Sequence, residues 1–385
     1  MTQKCIGRAV SSGAVVEVEF DQVITGVDHR ISPPEDVAWL SPGWIDLQVN
    51  GFAGVDFNRP TTTQEELAGA LRALFATGTT RLYPTVVTNS PEVMEGSLRN
   101  LASAREALPE GHAMEGFHVE GPHITPGDGA RGAHPKRWVR PPDIEEFRRW
   151  QDAARGNVRI VTLAPEWPQA TRYIETIVQE GVVAAIGHTH ANSAQIAAAV
   201  SAGATMSTHL GNGSDQMLPR HPNYIWDQLA EDRLAASFIV DGIHLPPCFL
   251  KVAFRAKGVE RSALVTDAVQ PAGCAPGIYM LGEMEVELLP EGKVQLTDPN
   301  RQGLAGSALR MDKGVENLMR LGGLSLVEAI SMATQNPARM GRIASRQRGL
   351  ATGERADLVL FRVDEATKAV AVEQTWLGGK LVFQA

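Results

Sequence analysis

Four residues able to bind a metal or carry a proton each follow a short apolar run: Glu120 after GFHV, His188 after VAAIG, His209 after TMST and Asp267 after SALVT. Two imidazoles and a carboxylate are N/O ligands, and three such ligands leave one position open. That is the arrangement of a catalytic Zn2+ or a similar divalent ion. A second carboxylate beside the open position is where a base for an activated water belongs. No local spacing here is a metal motif. A lone His after a strand is more often a structural hydrogen-bonder, a strand-end Glu often caps a helix, and an Asp there serves many turns. The weight lies in four suitable residue types recurring at one kind of structural position.

The elements that must position them form a regular series. Strand-like runs occur at 44–49, 80–84, 116–119, 158–163, 182–186, 205–210, 237–240 and 263–265. Amphipathic segments lie between them, at 64–75, 91–108, 144–154, 169–179, 193–202 and 246–256. Eight strands alternating with helices over roughly 200–250 residues predict a (β/α)8 TIM barrel, with a doubly wound open sheet as the competitor. Catalytic groups of such barrels sit at the C-terminal ends of the strands. Other polar residues at these ends are Asp46, Gln48 and Asn50 after the first run, Thr85 and Thr88 after the second, Glu166 after the fourth, and Asp241 with His244 after the seventh. Both chain ends are strand-like: Val16, Val18 and Phe20 alternate with Glu17 and Glu19, and ADLVLF (356–361) and KLVF (380–383) lie near the C-terminus. They predict a small β-domain built from both ends. After the eighth run, 284–296 predicts a hairpin around Glu291-Gly292, followed by helices at 308–321 and 325–334 that Asn336-Pro337 brings to an end.

Composition narrows the class. The 385 residues are 43% hydrophobic and 21% charged, an ordinary globular balance, and the 37 Gly and 23 Pro show no collagen-like period. Lys plus Arg is 36 against 44 for Asp plus Glu, a formal charge of −8, which argues against a nucleic-acid or acidic-membrane partner. A few basic groups in one pocket can still hold a phosphate. Cys5, Cys248 and Cys274 are odd in number and far apart, which fits a reducing compartment without a disulfide framework. The start MTQKCIGRAV has no apolar core of a signal peptide, and no run of about 18 apolar residues occurs, so the expectation is a cytoplasmic protein without a membrane partner.

The motifs PGWIDLQVNGFAGVDFN (42–58), GFHVEGPHI (116–124), GAHP (132–135), IGHTHA (186–191), THLGN (208–212), DGIHLPP (241–247), LVTDA (264–268) and LAGSALRMDKGVENL (304–318), with NPARMGR…GLATGERADLVLF (336–361), resemble the N-acetylglucosamine-6-phosphate deacetylase family of the amidohydrolase superfamily. The resemblance covers nearly the whole chain in order. It implies a (β/α)8 metal-dependent hydrolase barrel over 42–345 and a β-sandwich from 1–41 and 346–385. Most amidohydrolases carry His-x-His after the first strand, whereas Gln48-Val49-Asn50 stands here, as in the single-metal deacetylases of the family. The resemblance therefore implies one divalent ion per chain on Glu120, His188 and His209, most simply Zn2+, with Fe2+, Co2+ or Mn2+ as alternatives. It makes Asp267 the acid/base and His134 the residue that polarises the acetamide carbonyl. It places Gln48, Asn50, Asn212, Gly213, Arg220, His244 and the Leu304, Ala305, Gly306 segment at the amino sugar phosphate, and implies a homodimer in which the Arg220 position reaches the partner's site.

The chain departs from the family between 211 and 229. Gly211 replaces an aromatic residue, Ser214 a methionine, and NYIWDQL a glycine-rich segment; His123 also replaces a bulky apolar residue. These changes bear on the sugar and phosphate pocket, so the alternatives are N-acetylgalactosamine 6-phosphate, an unphosphorylated N-acyl amino sugar, or a non-catalytic sugar-phosphate-binding protein. Among the remaining histidines, His118 shares strand parity with Glu120 and is expected to point inward. His190 is expected at the mouth or on a helix cap, His221 near the phosphate or in solvent, and His29 and His112 at the surface.

Overall fold

A computed structural model describes residues 2–30, 36–282, 284–297 and 303–385. Eight strands, Trp44–Val49, Thr79–Val87, Phe117–Glu120, Val158–Leu163, Val183–Ile186, Met206–Ser207, Ala235–Ile239 and Ser262–Val265, each pair in parallel with the next. The ring closes between the first and the eighth: Val49 bridges Ala268 in parallel, Asp267 N donates to Gln48 O at 2.9 Å, and Asn50 N donates to Ala268 O at 2.7 Å. The predicted barrel stands, and the open sheet is set aside. The first strand is buried along its whole length, as a strand covered on both faces must be.

Helices Gln64–Phe75, Pro91–Ala107, Ile144–Ala153, Ala170–Gln179, Ser193–Ser201, Tyr224–Ala230, Pro247–Lys257 and Met311–Arg320 lie between or after these strands. Their starts follow local chemistry. Thr63 with Glu66 and Asn192 with Gln195 form reciprocal capping boxes that satisfy two free amides each. Two predictions shift. The sixth strand is two residues long instead of six, because His209 at φ 30° turns the chain out of the sheet. The helix expected over 325–334 does end at Thr334, but Asn336-Pro337 does not end the helical region: Pro337 lies inside the first turn of a new helix, Gln335–Met340, where a missing N–H costs little.

Seven strands from the two chain ends form one sheet, in the order Lys380–Gln384, Val370–Leu377, Leu358–Val363, Trp39–Pro42, Gln3–Ala9, Val15–Phe20, Ile24–His29. An ion cluster ties it to the barrel. Asp357 is fully buried, accepts two hydrogen bonds from Arg81 of the second barrel strand at 2.7 and 3.0 Å, and pairs with buried Arg346 at 2.5 Å. The hairpin predicted at 284–296 gains a third strand, Gly277–Leu281. One face of this small sheet shares an apolar cluster with Val269 and Ala305, and Ala133 packs against that cluster. Among the described residues no helix is long and apolar enough to cross a membrane.

Candidate metal centre and active site

Glu120, His188, His209 and Asp267 come from the third, fifth, sixth and eighth strand ends, and all are buried. Three of them, His188 (φ 49°), His209 (φ 30°) and Asp267 (φ 49°), hold the left-handed backbone that residues with a side chain rarely adopt. The bend turns each chain out of its strand at the barrel mouth. Gly187, just before His188, makes the approach possible, since a Cβ there would lie 2.7 Å from Thr162 Cγ2.

Glu120 Oε1 receives His209 Nε2 at 2.8 Å and His188 Nε2 at 3.2 Å. The two imidazoles stand edge to face with centroids 4.9 Å apart. Burial opposes ionisation of Glu120, but the hydrogen bonds from His188 and His209 outweigh it and hold the carboxyl well below its usual range. Burial likewise opposes the charged form of His209, and the bond to Glu120 more than offsets it. His188 Nδ1 is 2.9 Å from Ala130 O; with that N–H donated there, a bound metal would take the Nε2 that meets Glu120 in this structure. Gly213 lies against this ring: a Cβ there would fall 2.6 Å from His188 Nδ1.

His134 joins the same cluster. Glu120, His134 and His188 offer ligand atoms that all lie within 4.8 Å of one another, and the rings of His134 and His188 are 4.5 Å apart. Burial first, then the neighbouring His188, push His134 down to about 3, so its ring is neutral. Its Nδ1 is 2.8 Å from Thr88 Oγ1. The mutual cluster is thus Glu120, His134 and His188, and His209, expected as the third ligand, joins it only through its 2.8 Å contact with Glu120 Oε1. Two N donors and one carboxylate O converging at a buried site is the donor chemistry of a divalent cation, and the residues present fit one.

Asp267 Oδ1 accepts Asn50 Nδ2 at 2.6 Å and Gln48 Nε2 at 3.1 Å. Both amides, expected at the substrate, direct their N–H groups to this carboxylate, while Gln48 Oε1 and Asn50 Oδ1 are buried without a partner. Burial, and next the charge of Glu120, raise Asp267 to about 6. Beneath it the buried Asp46 accepts Thr266 Oγ1 at 2.5 Å. His118 points into the barrel as its parity required, between Leu47 O (3.1 Å) and Thr162 Oγ1 (2.7 Å).

The expected sugar and phosphate residues divide. Asn212 folds onto His209 O through its main-chain N–H (2.9 Å) and its Nδ2 (3.2 Å). His244 Nδ1 bonds Asp241 Oδ2 at 2.6 Å, which sets its ring. Leu304–Gly306 run beside the eighth strand, where Ser307 N reaches Asp267 O at 3.0 Å. Arg220 and His221 are exposed, and Arg220 has no hydrogen-bond or ion-pair partner among the described residues. His123 belongs elsewhere: it is buried between the rings of Trp150 and Tyr173, each 5.2 Å away, under the outer helices and not in the pocket. His29 and His112 are exposed as expected. Sequence reasoning noted Thr88 only as a strand end, and it missed Asp215, which pairs with His190 at 3.0 Å. No motif marked Asp215. A pair of glycines opposite it, Gly127 and Gly129, was the available signal.

The sequence model of the Amidohydrolase family matches residues 39–382. The N-acetylglucosamine-6-phosphate deacetylase of Bacillus subtilis is 32% identical over 92% of this chain and 88% of its own length. The N-acetylgalactosamine-6-phosphate deacetylase of Shewanella sp. is 35% identical over 90% of this chain and 84% of its own. A mutant N-acetyl-D-glucosamine-6-phosphate deacetylase from Mycobacterium smegmatis, solved in complex with N-acetyl-D-glucosamine-6-phosphate, superposes with a TM-score of 0.87 at 30% identity, covering 99% of this chain and 100% of that one.

Proposed function

This chain belongs to the amidohydrolase family, and from that premise we propose that it is an enzyme removing the acetyl group from N-acetylglucosamine 6-phosphate, giving acetate and glucosamine 6-phosphate. The observation that carries the reading is the convergence of His188 and His209 on Glu120 Oε1 beside an Asp267 held by two amides. Glu120, His188 and His209 would hold the divalent ion, Zn2+ by donor chemistry, with Fe2+, Co2+ or Mn2+ as substitutes. Bound there, the ion would supply Lewis acidity and make a water more acidic.

The chain's own residues supply the rest. Asp267, ionised near neutral pH, takes a proton from the attacking water and returns it to the departing amine. The Asn50 and Gln48 amides hold its carboxylate in one orientation through both transfers. With Nδ1 accepting from Thr88, the neutral His134 keeps its proton on Nε2 and polarises the acetamide oxygen with a hydrogen bond from that N–H. Asn212, the Gly213 amide, His244 and the Leu304–Gly306 backbone bind the sugar phosphate. Arg220 has no hydrogen-bond or ion-pair partner among the described residues, and Met217 and Trp226, nearby in sequence, are 88% and 50% exposed. These features support a homodimer in which Arg220 reaches the phosphate in the partner's site. The same proposal divides the chain into a barrel, 42–345, and a domain of 1–41 with 346–385, and places it in the cytoplasm, supported by three unbridged cysteines.

The second reading is the galacto isomer, favoured by the Shewanella relative at 35% identity and by the altered 211–229 segment. A non-catalytic role is disfavoured because Asp267 and every ligand candidate are in place. The deciding experiment is acetate release by zinc-reconstituted protein from gluco and galacto N-acetyl sugars, with and without 6-phosphate. Turnover that ignores the phosphate removes the phosphate assignment, and turnover of the galacto sugar alone moves the function to the second reading.

A further inference from the structure

A second tier of contacts surrounds the centre and takes no part in the proton transfers. His190, two residues past His188, has its ring Nε2 at 3.0 Å from the Asp215 carboxylate and its Nδ1 at 3.3 Å from Thr125 Oγ1. Its main-chain N–H donates to Glu166 Oε1 at 2.9 Å, and Thr189 Oγ1 donates to Glu166 Oε2 at 2.5 Å. Asp215 in turn accepts Ala130 N at 3.3 Å and Tyr224 OH at 3.2 Å, while its own N–H donates to Tyr224 OH at 2.8 Å. Four separate strand-end loops therefore meet at one imidazole–carboxylate pair.

The opposing loop is shaped around this pair. A Cβ at Gly127 would fall 2.4 Å from His190 Cε1, and one at Gly129 would fall 2.2 Å from Asp215 Oδ1. Between these glycines and Gly132 lies Ala130, whose carbonyl holds His188 Nδ1 at 2.9 Å. His209 Nδ1 is buried without such a partner, so His188 is the ligand candidate whose ring these loops control. The side chains of His190 and Asp215 are 35% and 26% exposed, so the pair adds little as an ion pair in water. Its effect is geometric.

We propose that His190 and Asp215 are positioning residues forming a latch that clamps the substrate loop after His209 onto the loop carrying Ala130 and His134, and thereby fixes His188 for the metal. The proposal uses the deacetylase reading only for its activity arm; its metal arm is independent.

The test compares Asp215→Ala, His190→Ala, the double variant and Asp215→Asn with the parent. It reads KM and kcat for N-acetylglucosamine 6-phosphate at saturating zinc, the rate of zinc loss to a chelator without substrate, and the melting temperature. Each alanine variant is expected to raise KM about tenfold with kcat within about threefold, and to speed zinc loss about tenfold, the scale of disturbing a ligand's hydrogen-bond partner. The double variant should be no worse than the worse single one, because both act through one contact. Asp215→Asn, which keeps an acceptor for Ala130 and Tyr224, should recover most of the zinc retention. Parental zinc loss in Asp215→Ala, effects that multiply in the double variant, or losses that track only a fall in melting temperature would each overturn the latch. A parent that holds zinc but leaves the sugar phosphate untouched would end the deacetylase reading while the zinc-loss comparison still decides the latch.

Discussion

Asn50→Leu removes the shorter of the two bonds to Asp267 at nearly constant volume. The 2.6 Å contact favours the carboxylate, and it is one of the influences holding Asp267 down against burial and Glu120. A hydrogen bond to a charged group contributes about 1.5–3 kcal/mol. One pKa unit corresponds to about 1.36 kcal/mol, so the loss is worth roughly 1–2 units. Gln48 still donates at 3.1 Å, which puts the single variant near the lower end, at about 1 unit, and the Gln48→Leu, Asn50→Leu pair near about 2. The sign follows from the role. Asp267 must be ionised to accept a proton, so kcat/KM falls as pH drops through its pKa, and a raised pKa moves that acid limb to higher pH. A bound cation acts on parent and variant alike, so the difference between their limbs is the quantity to read. The assay is the pH profile of kcat/KM for acetate release at saturating metal. An acid limb that stays in place or moves to lower pH, with the high-pH plateau intact, would refute the assignment of Asp267 as the base and of Asn50 as its holder.

Asp267→Asn keeps the shape and removes the proton acceptor; acetate release should fall by about 10²–10⁴-fold, with metal content, read by elemental analysis, unchanged. Exhaustive chelation should abolish turnover and stoichiometric zinc restore it, whereas full activity in metal-free protein would refute the Glu120–His188–His209 site. Gly213→Ala places a Cβ 2.6 Å from His188 Nδ1 at φ 55°; the chain should fold with near-parental circular dichroism yet lose zinc to a chelator much faster. Asp357→Asn strands two buried guanidinium groups, a loss of about 3–5 kcal/mol that should lower Tm by roughly 4–6 °C. Arg81 and Arg346 overcome the burial penalty and hold Asp357 at about 2, below its ordinary 3.8. Its stabilising share is therefore complete above about pH 4 and is lost as pH falls towards 2, a loss that Asp357→Asn should not show in acid-unfolding curves.

The barrel was legible because its strands are short apolar runs that alternate regularly with amphipathic segments, and its helices carry their own start signals. Gln64–Phe75 begins where Thr63 and Glu66 predict. The convergence of Glu120, His188, His209 and Asp267 was legible for a related reason: a strand end fixes a side chain's position even when the next residue of the cluster lies dozens of residues away. What the sequence withheld depends on loops. His123 reads as a pocket residue by its place after the third strand, but the turn through Gly121 and Pro122 swings it outward between Trp150 and Tyr173. The sixth strand reads as six residues because TMSTHL is apolar or β-branched throughout, while the backbone bend at His209 is not encoded in hydropathy. His134 was placed at the centre by the GAHP resemblance alone, whereas Asp215 as the partner of His190 arises from a contact between separate loops that no local pattern records.

The bend at His209 also explains why these residue types stand where glycine would be easier. Left-handed backbone on a residue with a side chain costs about 1–3 kcal/mol, and the surrounding structure must impose it. At all three positions it does. His188 O accepts Thr125 N at 2.9 Å, His209 N donates to Ser237 Oγ at 2.8 Å, and Asp267 N donates to Gln48 O at 2.9 Å while its carbonyl accepts Ser307 N at 3.0 Å. Each bond ties a strained residue to a neighbouring strand end or loop, so the strain is shared by the closed barrel and not borne by one turn. Glycine at any of the three would relieve the backbone and remove an imidazole or a carboxylate from the centre. A Gly variant more stable than its parent, yet unable to retain zinc at the His188 or His209 position, is the outcome this balance of strain against site geometry requires.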